Sequence, residues 1–198
     1  MGSSATSLSE VGPSLGSDVE TESDRVRALF VRHRREVNRL VYRLLGPDGD
    51  HDDIVQDVFV RLVSRAGSLR ERERESAWVA SVTVNVVRNQ LRRRRVRRVV
   101  ELRAELPEPG IDPEPRLLQR DLARRGHLLL DRLDPAERIA LLLRRVEQRS
   151  LEEVASMCGC SLSTAKRRIK RSERRLAALL EEHPDLYDDL RAYAGGEP

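Results

Sequence analysis

Long apolar runs, aromatic residues, cysteines and lysines are all scarce in this 198-residue chain. No stretch approaches the roughly 18 apolar residues of a membrane-spanning helix, so we expect no membrane insertion. The two cysteines, Cys158 and Cys160, are too few and too close together for a structural disulfide framework, which favours a reduced, cytoplasmic protein. Aromatic residues make up only 3% of the chain, which favours helices with thin Leu, Val and Ala cores.

Sequence signatures of catalysis are also missing. The chain has no Gly-rich phosphate loop, no Ser/His/Asp set and no metal-ligand cluster, so we expect neither an enzyme nor a bound cofactor or metal. The nearest candidate for a zinc site is the set Cys158, Cys160, His127 and His183. However, Cys-x-Cys lacks the usual ligand spacing, and a second cysteine pair is missing. Small packed thiols are the expected state of both cysteines.

Positive charge is present but concentrated, although the formal net charge is only +4. Residues 88–98 hold seven arginines and no acidic residue, and residues 166–175 hold two lysines, five arginines and one Glu. Residues 1–24 hold five acidic residues and no basic one. Blocks of opposite sign indicate local electrostatic roles, and arginine can bind a phosphate through two N–H groups.

The hydrophobic pattern predicts an all-α chain of two small helical domains joined by a Pro-rich linker. The segment 1–23 is Ser/Gly/Glu-rich and is expected to be disordered. The first domain is predicted at 24–100, the linker at 101–115, the second domain at 116–182 and an acidic tail at 183–198. The linker stretch AELPEPGIDPEP carries four prolines and one glycine, which make it semi-rigid.

The segment AWVASVTVNVVRNQL fits two kinds of secondary structure. Val82, Val84 and Val86 alternate with Thr83 and Asn85, which is typical of a strand. The same valines also fit a helix that is buried on two sides. We predict a helix, because the chain offers no partner strand to receive the backbone hydrogen bonds of a lone strand.

The stretch SLEEVASMCGCSLSTAKRRIKRSERRL predicts a helix-turn-helix. Ala155 suits a close helix crossing, Gly159 suits the turn, and Ser161 or Ser163 is expected to cap the second helix. We expect the following side chains to face inward: Leu162, Ala165, Ile169 and Leu176. The outward, DNA-facing set is predicted to be Ser163, Thr164, Lys166, Arg167, Arg168, Lys170 and Arg171. The alternative is an ordinary helical hairpin with a solvated basic face.

Two further charged faces need partners. The run from Arg88 to Arg98 projects a cationic surface that duplex DNA or RNA phosphate would neutralise, unless it is a solvated face or a localisation tract. Two basic helices on tethered domains suggest that one polymer is bound at two places. The acidic face formed by Asp52, Asp53, Gln56 and Asp57 would repel DNA, so it has a different partner or only complements the helix dipole.

The chain resembles the extracytoplasmic-function (ECF) class of sigma-70 family sigma factors. The resemblance is carried by three stretches in this order: DDIVQDVFVRL, AWVASVTVNVVRNQLRRRR and LDPAERIALLLRRVEQRSLEEVASMCGCSLSTAKRRIKRSERRL. The resemblance covers roughly residues 24–182. It implies a promoter-specificity subunit of RNA polymerase with a sigma-2-like and a sigma-4-like domain. It also implies that Asp53, Gln56 and Asp57 bind the clamp helices of the beta-prime subunit.

The resemblance further implies the DNA contacts and the partners. The segment Trp78 to Arg95 would bind and open the minus-ten element, beside the charged loop 69–76, and the second domain would bind the minus-thirty-five element and the beta flap. An anti-sigma factor would hold the protein inactive. The implied DNA-binding residues are Asn85, Arg88, Arg92, Arg93, Arg94, Arg95, Ser163, Thr164, Lys166, Arg167, Arg168 and Arg171.

The chain departs from the family pattern in two places. Family members often carry aromatic residues around Trp78, which capture unstacked bases, whereas this chain has valines and alanine there. Ala165 and Arg167 stand where Val and Ser are common in the recognition helix. A rival hypothesis from another class is a free-standing DNA-binding regulator or basic RNA-binding protein that acts without polymerase, and the acidic helix face separates the two hypotheses.

Overall fold

A computed structural model of the chain describes residues 22–46, 50–65, 75–100 and 115–195. Eight α-helices and no strand occur in these parts of the chain, so the all-α prediction is confirmed. Their bounds are α1 Glu22–Leu45, α2 His51–Arg65, α3 Glu75–Val100, α4 Pro115–Leu130, α5 Pro135–Arg145, α6 Leu151–Cys158, α7 Leu162–Glu181 and α8 Pro184–Gly195. Residues 1–21 of the predicted disordered segment 1–23 lie outside the described residues, and Glu22 and Ser23 begin α1 instead. Residues 101–114 of the predicted linker also lie outside the described residues.

Helices α1, α2 and α3 form one group, called here the N-terminal group. Leu40, Leu44, Val58 and Leu62 are fully buried where α1 and α2 meet α3, as their helical spacing predicts. Phe30 of α1 is 39% exposed. It lies at the edge of the group, where its ring packs 4.7 Å from that of Phe59.

Helix α3 confirms the prediction of a helix over a strand. Val82, Val84, Val86 and Val87 are all buried although they point in different directions around the helix. Helices α1 and α2 cover one side of α3, and helices α5 and α6 cover another. The alternating valines therefore reflect burial on two sides.

A buried polar cluster holds the start of α3 against α1. The Glu75 carboxylate accepts hydrogen bonds from His33 Nε2 at 2.6 Å and Arg32 Nη1 at 2.8 Å. Burial on its own would raise the pKa of Glu75, but the hydrogen bonds from His33 and Arg32 outweigh it and the pKa is lowered. The carboxylate is therefore ionised and also lies at the positive end of the helix dipole.

Helices α4 to α8 form the C-terminal group, and its helix-turn-helix begins and ends as predicted. Ser150 caps α6 in a capping box with Glu153, Gly159 adopts the left-handed conformation (φ 60°) at the end of α6, and Ser161 caps α7. Asp134 caps α5, accepting from the backbone N–H of Ala136 at 2.9 Å, with Pro135 at the first helical position.

The predicted acidic tail contains an eighth helix. Leu186 of α8 is buried among Leu129, Leu133, Leu141 and Leu179, which form a second, smaller hydrophobic cluster. Asp189 of α8 pairs with Arg125 of α4 at 2.9 Å. Helix α8 therefore packs against α4 and α7.

The larger hydrophobic cluster is shared by both groups of helices. It joins residues of α1, α2 and α3 to Ile139 and Leu143 of α5 and to Val154, Met157 and Cys158 of α6. The two groups are therefore packed face to face through apolar side chains. This arrangement determines which charged faces of the molecule remain open.

Candidate nucleic-acid interface

The basic face of α7 is open to solvent. Ser163, Lys166, Arg167, Lys170 and Arg171 are exposed, whereas Thr164 and Arg168 are half-buried. The N-terminus of α7 is fixed by Ser161, whose hydroxyl accepts from the Thr164 N–H at 3.2 Å. The structure thus presents the predicted residues on one surface, with the helix N-terminus leading.

The inward face of α7 differs from the prediction at one position. Ala165 and Ile169 are buried as expected, and Leu176 is partly buried against the smaller cluster. Leu162 was predicted to face inward, but its side chain is 38% exposed. The side chains of a helix lean toward its N-terminus. Because Leu162 is the first residue of α7, its side chain projects beyond the N-terminal end of the helix.

Part of the basic surface is neutralised within the C-terminal group itself. Arg171 Nε lies 3.2 Å from Glu137 of α5, although its side chain remains largely exposed. Arg145 Nε donates to Glu173 at 2.8 Å. Exposed pairs of this kind stabilise the fold only weakly, so a phosphate can displace them.

The second half of α3 carries the other cationic surface. Arg92, Arg93 and Arg95 are exposed and Arg94 is half-buried. Arg95 pairs at 3.0 Å with Asp134, the cap of α5, through side chains that are both about half exposed. This end of α3 therefore offers guanidinium groups to a polyanion.

Asn85 and Arg88, in the middle of α3, are not freely exposed to solvent. Both side chains are half-buried. Arg88 donates from Nη1 to the backbone carbonyl of Cys158 in α6 at 3.1 Å, and from Nη2 to Asn85 Oδ1. The predicted minus-ten residues therefore lie at the junction between the two groups of helices.

The acidic face of α2 is open to solvent. Asp52, Asp53, Gln56 and Asp57 are exposed, and Val60 on the same face is 59% exposed. Since the same face would repel DNA, it fits a protein partner.

Arg138 is a functional candidate that sequence reasoning missed. This α5 residue is 1% exposed and binds the carbonyls of Leu44 and Leu45, which end α1, at 2.9 Å and 3.0 Å. Asp131 balances its charge. The last carbonyls of a helix lack partners within the helix, so Arg138 satisfies those of α1 from the opposite group.

His127 of α4 packs beside the same junction. Its Nδ1 lies 3.1 Å from Arg138 Nη2, and its ring lies against Gly46, which has a φ of 87°. Burial and the neighbouring Arg138 lower the pKa of His127 to about 4, against the opposing effect of Asp131. The ring is therefore neutral near pH 7 and accepts a hydrogen bond from the arginine.

Ion pairs line the rim of the junction. Arg39 and Arg43 of α1 lie 3.5 Å and 2.6 Å from the carboxylate of Glu147, whose side chain is only 3% exposed. Glu36 lies 3.7 Å from Arg149. Sequence reasoning did not predict Glu147, because a single acid after a helix carries no signal of its own.

Both cysteines, which lie at the turn of the helix-turn-helix, are free thiols. Cys158 is buried and Cys160 is partly exposed. Burial, with a smaller contribution from Cys160, raises the pKa of Cys158 to about 11. Over the part of the chain that the structure describes, no three His, Cys, Asp or Glu side chains are grouped so as to hold a metal ion.

Two other predictions concern membranes and the charged loop. No helix in the described ranges is long and apolar enough to cross a bilayer. The charged loop predicted beside Asn85 lies outside the described residues, apart from Glu75 and Ser76 at the start of α3.

Comparison with known proteins links both groups of helices to one family. Residues 29–97 match the family model of Sigma-70 region 2, and residues 127–176 match that of Sigma-70, region 4. The second match ends before α8.

Curated relatives match over both regions. The chain is 30% identical over 154 residues to the ECF RNA polymerase sigma-E factor of Escherichia coli, a match covering 73% of this chain and 80% of that protein. It is 32% identical over 159 residues to the ECF RNA polymerase sigma factor SigE of Mycolicibacterium smegmatis, covering 78% of this chain but only 61% of SigE.

Solved structures show the same fold. The sigma factor RpoE of Bartonella quintana, in complex with the anti-sigma factor NepR, aligns with a TM-score of 0.56 and 22% identity, over 79% of this chain and 97% of that chain. CnrH, in complex with the cytosolic domain of CnrY, aligns with a TM-score of 0.54, also at 22% identity, over 81% of this chain and 90% of that one. From the order of its two regions and its identity to these relatives, the chain belongs to the extracytoplasmic-function group of the sigma-70 family of sigma factors.

Proposed function

We propose that the chain acts in the cytoplasm as a dissociable specificity subunit that binds core RNA polymerase and directs it to a promoter. The observation that carries this proposal is the separation of charge. Two cationic helices, α3 and α7, belong to different groups of helices, while α2 exposes an acidic face unsuited to DNA. One polyanion bound at two places and one large protein partner fit this distribution.

The roles of the residues follow from their surfaces. Asp53, Gln56 and Asp57 would bind the beta-prime clamp helices, with Val60 supplying apolar contact. Arg167, Arg168 and Arg171 would contact base edges of the minus-thirty-five element, each good contact discriminating by about 1–3 kcal/mol. Arg92 to Arg95 would bind backbone phosphates, which position the protein and make its affinity dependent on salt.

Two further partners belong to the proposal. The beta flap would bind the C-terminal group on a face other than that of α7. An anti-sigma factor is expected as well, because RpoE was solved in complex with the anti-sigma factor NepR, and CnrH was solved in complex with the cytosolic domain of CnrY. The role of the protein would then be regulatory and not catalytic.

The test is assembly and transcription with core RNA polymerase. We expect the chain to co-elute with core enzyme on gel filtration and to direct transcription from a subset of a promoter library. The double variant Asp53→Arg/Asp57→Arg should lose both properties. Asp185→Arg/Asp188→Arg, with the same charge change on exposed positions of α8, should keep them.

Failure of the unaltered chain to bind core enzyme would contradict the proposal. If the Asp53→Arg/Asp57→Arg variant still bound its DNA sites and acted as well as the parent, the rival hypothesis of a regulator that works without polymerase would be favoured. The acidic face of α2 is thus the feature that decides between the two hypotheses.

A further inference from the structure

The outer side of α1 carries a basic surface that the proposed function does not use. Exposed side chains recur on this helix at spacings of three, four and seven residues, which places them on one side. Val31 is 73% exposed and Tyr42 is 51% exposed, so this side of α1 is open to solvent. The set, called here the outer stripe, consists of Arg27, Val31, Arg34, Arg35 and Tyr42.

The arginines of α1 differ in whether they have a counter-charge. Arg32, Arg39 and Arg43 each lie within 3.5 Å of an acidic side chain from another part of the fold. Within the ranges that the structure describes, the three arginines of the outer stripe form no ion pair. The outer stripe is therefore a basic surface without an acidic residue, and its charge attracts an acidic partner.

The chain itself supplies an acidic segment next to this helix. Residues 1–21 lead directly into α1 and include no basic residue. Their acidic residues are Glu10, Asp18 and Glu20, and their larger aliphatic residues are Leu8, Val11, Leu15 and Val19. This mixture of negative charge and aliphatic side chains complements the arginines and the exposed Val31 and Tyr42 of the outer stripe.

We infer that the outer stripe is a docking surface for the segment 8–20 of the same chain, which lies along α1 and keeps DNA and other anions off it. The docked segment would neutralise a third basic helix, so that α3 and α7 alone offer their arginines to DNA. This contact joins two parts of one chain and does not depend on binding to polymerase.

The length of the segment allows this docking. Arg27 and Tyr42 are 15 residues apart, which corresponds to about 22 Å along a helix. An extended chain advances about 3.3 Å per residue, so about seven residues cover that distance. The segment 8–20 is longer than this, so enough residues remain for the chain to reverse its direction before α1 begins at Glu22.

The covalent connection makes a weak contact sufficient. Single exposed ion pairs contribute little to stability, and salt screens them. The segment is joined directly to α1, however, which gives it an effective concentration on the order of millimolar at the outer stripe. A contact of millimolar affinity is then occupied about half of the time or more. Any other anion must compete with this tethered segment before it binds the outer stripe.

The first measurement detects the contact in the full-length free chain. Arg34→Lys keeps the positive charge and introduces an amine, which a carbodiimide joins to a touching carboxylate without a spacer. We expect cross-links from position 34 to the acidic residues of the segment 8–20, identified by mass spectrometry. The native Lys166 and Lys170, exposed on α7, are internal controls that should form few such cross-links. The cross-links should disappear in 1 M NaCl, where the Debye length is only about 3 Å.

The second measurement tests the shielding of the outer stripe. The probe is a fluorescent DNA duplex of random sequence without a promoter, followed by anisotropy at low salt. The variant Glu10→Gln/Asp18→Asn/Glu20→Gln removes the charges of the segment in the full-length chain. We expect it to bind the duplex about tenfold more tightly than a control of equal net charge does, because three more arginines become available to phosphates.

The control of equal net charge is altered on α7 and α8. It is Glu181→Gln/Asp185→Asn/Asp188→Asn, which removes three acidic charges at exposed positions.

A second set of changes assigns the gain to the outer stripe. Adding Arg27→Gln/Arg34→Gln/Arg35→Gln to the neutralised segment should abolish the gain in DNA binding. The same three substitutions in the parent should have a smaller effect, because the docked segment already covers these arginines.

Three outcomes would overturn the inference. If position 34 cross-linked to the segment no more than Lys166 and Lys170 do, the segment would not lie on the outer stripe. Equal DNA binding by the neutralised variant and its control would show that the segment shields nothing. If the three arginine substitutions weakened DNA binding equally with and without the charges of the segment, the outer stripe would be an open nucleic-acid surface. None of these measurements includes core RNA polymerase, so failure of the proposed function is recognised separately.

Discussion

The absence of a side chain at Gly46 allows His127 to pack closely at the junction. Gly46 has a φ of 87°, and a Cβ atom there would lie 2.6 Å from Cγ of His127. Gly46→Ala should destabilise the protein by ~2–4 kcal/mol, from backbone strain and the clash together. Urea unfolding would measure the change.

The matched control is another glycine of the same region. A Cβ atom added at Gly126, inside α4, would meet no other atom within 4 Å. Gly126→Ala should therefore stabilise the protein by about 0.5–1 kcal/mol through helix propensity. Equal losses from the two substitutions would contradict the close contact between Gly46 and His127.

His127 makes stability depend on pH in a defined window. Its pKa is about 4 in the folded chain, lowered by burial and by Arg138, with Asp131 opposing the shift, and lies near 6.5 when unfolded. Below pH ~6.5 the unfolded state binds a proton that the folded state does not, so stability should fall by up to about 3 kcal/mol as the pH falls toward 4.

The measurement is the free energy of unfolding by urea across that pH range, in the parent and in His127→Gln. The variant should be less stable at neutral pH but should lose less stability between pH ~6.5 and ~4. Parallel curves for the two proteins would show that His127 does not titrate as described.

Sequence reasoning succeeded for residues whose exposure follows from one helix alone. Asp53 and Arg167 are exposed, and Ala165 is buried, because each helix has one face toward its own neighbours. Arg138 was not predicted, since an arginine between Glu137 and Ile139 looks solvated. Its burial depends on carbonyls that arrive from α1, and no local pattern encodes them.

Ser150 caps the N-terminus of α6 in a capping box with Glu153. Its hydroxyl accepts from the Glu153 N–H at 3.1 Å, and the Glu153 carboxylate accepts from the Ser150 N–H at 2.7 Å, which lowers the pKa of Glu153. Ser150→Ala should cost about 1 kcal/mol of unfolding free energy. Ser156→Ala, on the exposed side of α6, is the control and should change stability little.

Helix α7 is expected to read the upstream promoter element. Arg168→Ala or Arg171→Ala should weaken its recognition by about 1–3 kcal/mol if the side chain contacts a base, measured by run-off transcription with core enzyme. Arg174→Ala, farther from the helix N-terminus, should cause a smaller change that is uniform across promoter sequences. Unchanged promoter selectivity in the Arg168 and Arg171 variants would remove those residues from the recognition surface.

Among the helices, those with caps and a clear apolar stripe were predictable, as α5, α6 and α7 show. Helix α3 was ambiguous because it is covered on two sides, which hides the helical period. Helix α8 was missed because Asp185, Asp188 and Asp189 in a short segment indicated a solvated acidic tail. It is held by Leu186 and Leu190 against the smaller cluster, so its order comes from tertiary packing.

The shared hydrophobic cluster predicts how the molecule as a whole unfolds. Because one cluster joins α1–α3 to α5 and α6, the free chain should unfold in a single calorimetric transition, with equal calorimetric and van't Hoff enthalpies. Glu147→Arg should separate the transition into two. Two resolved transitions in the parent would show that the groups unfold independently.

Helix α8 has a practical consequence for work with shortened chains. The match to Sigma-70, region 4 ends at residue 176, so a truncation guided by homology would remove Leu186 and Leu190. Leu129, Leu133 and Leu141 would then be exposed to water as an apolar strip on the helix-turn-helix fragment. Such a fragment should self-associate at concentrations where the longer protein stays monodisperse, and poor behaviour of the fragment would then say nothing about its affinity for DNA.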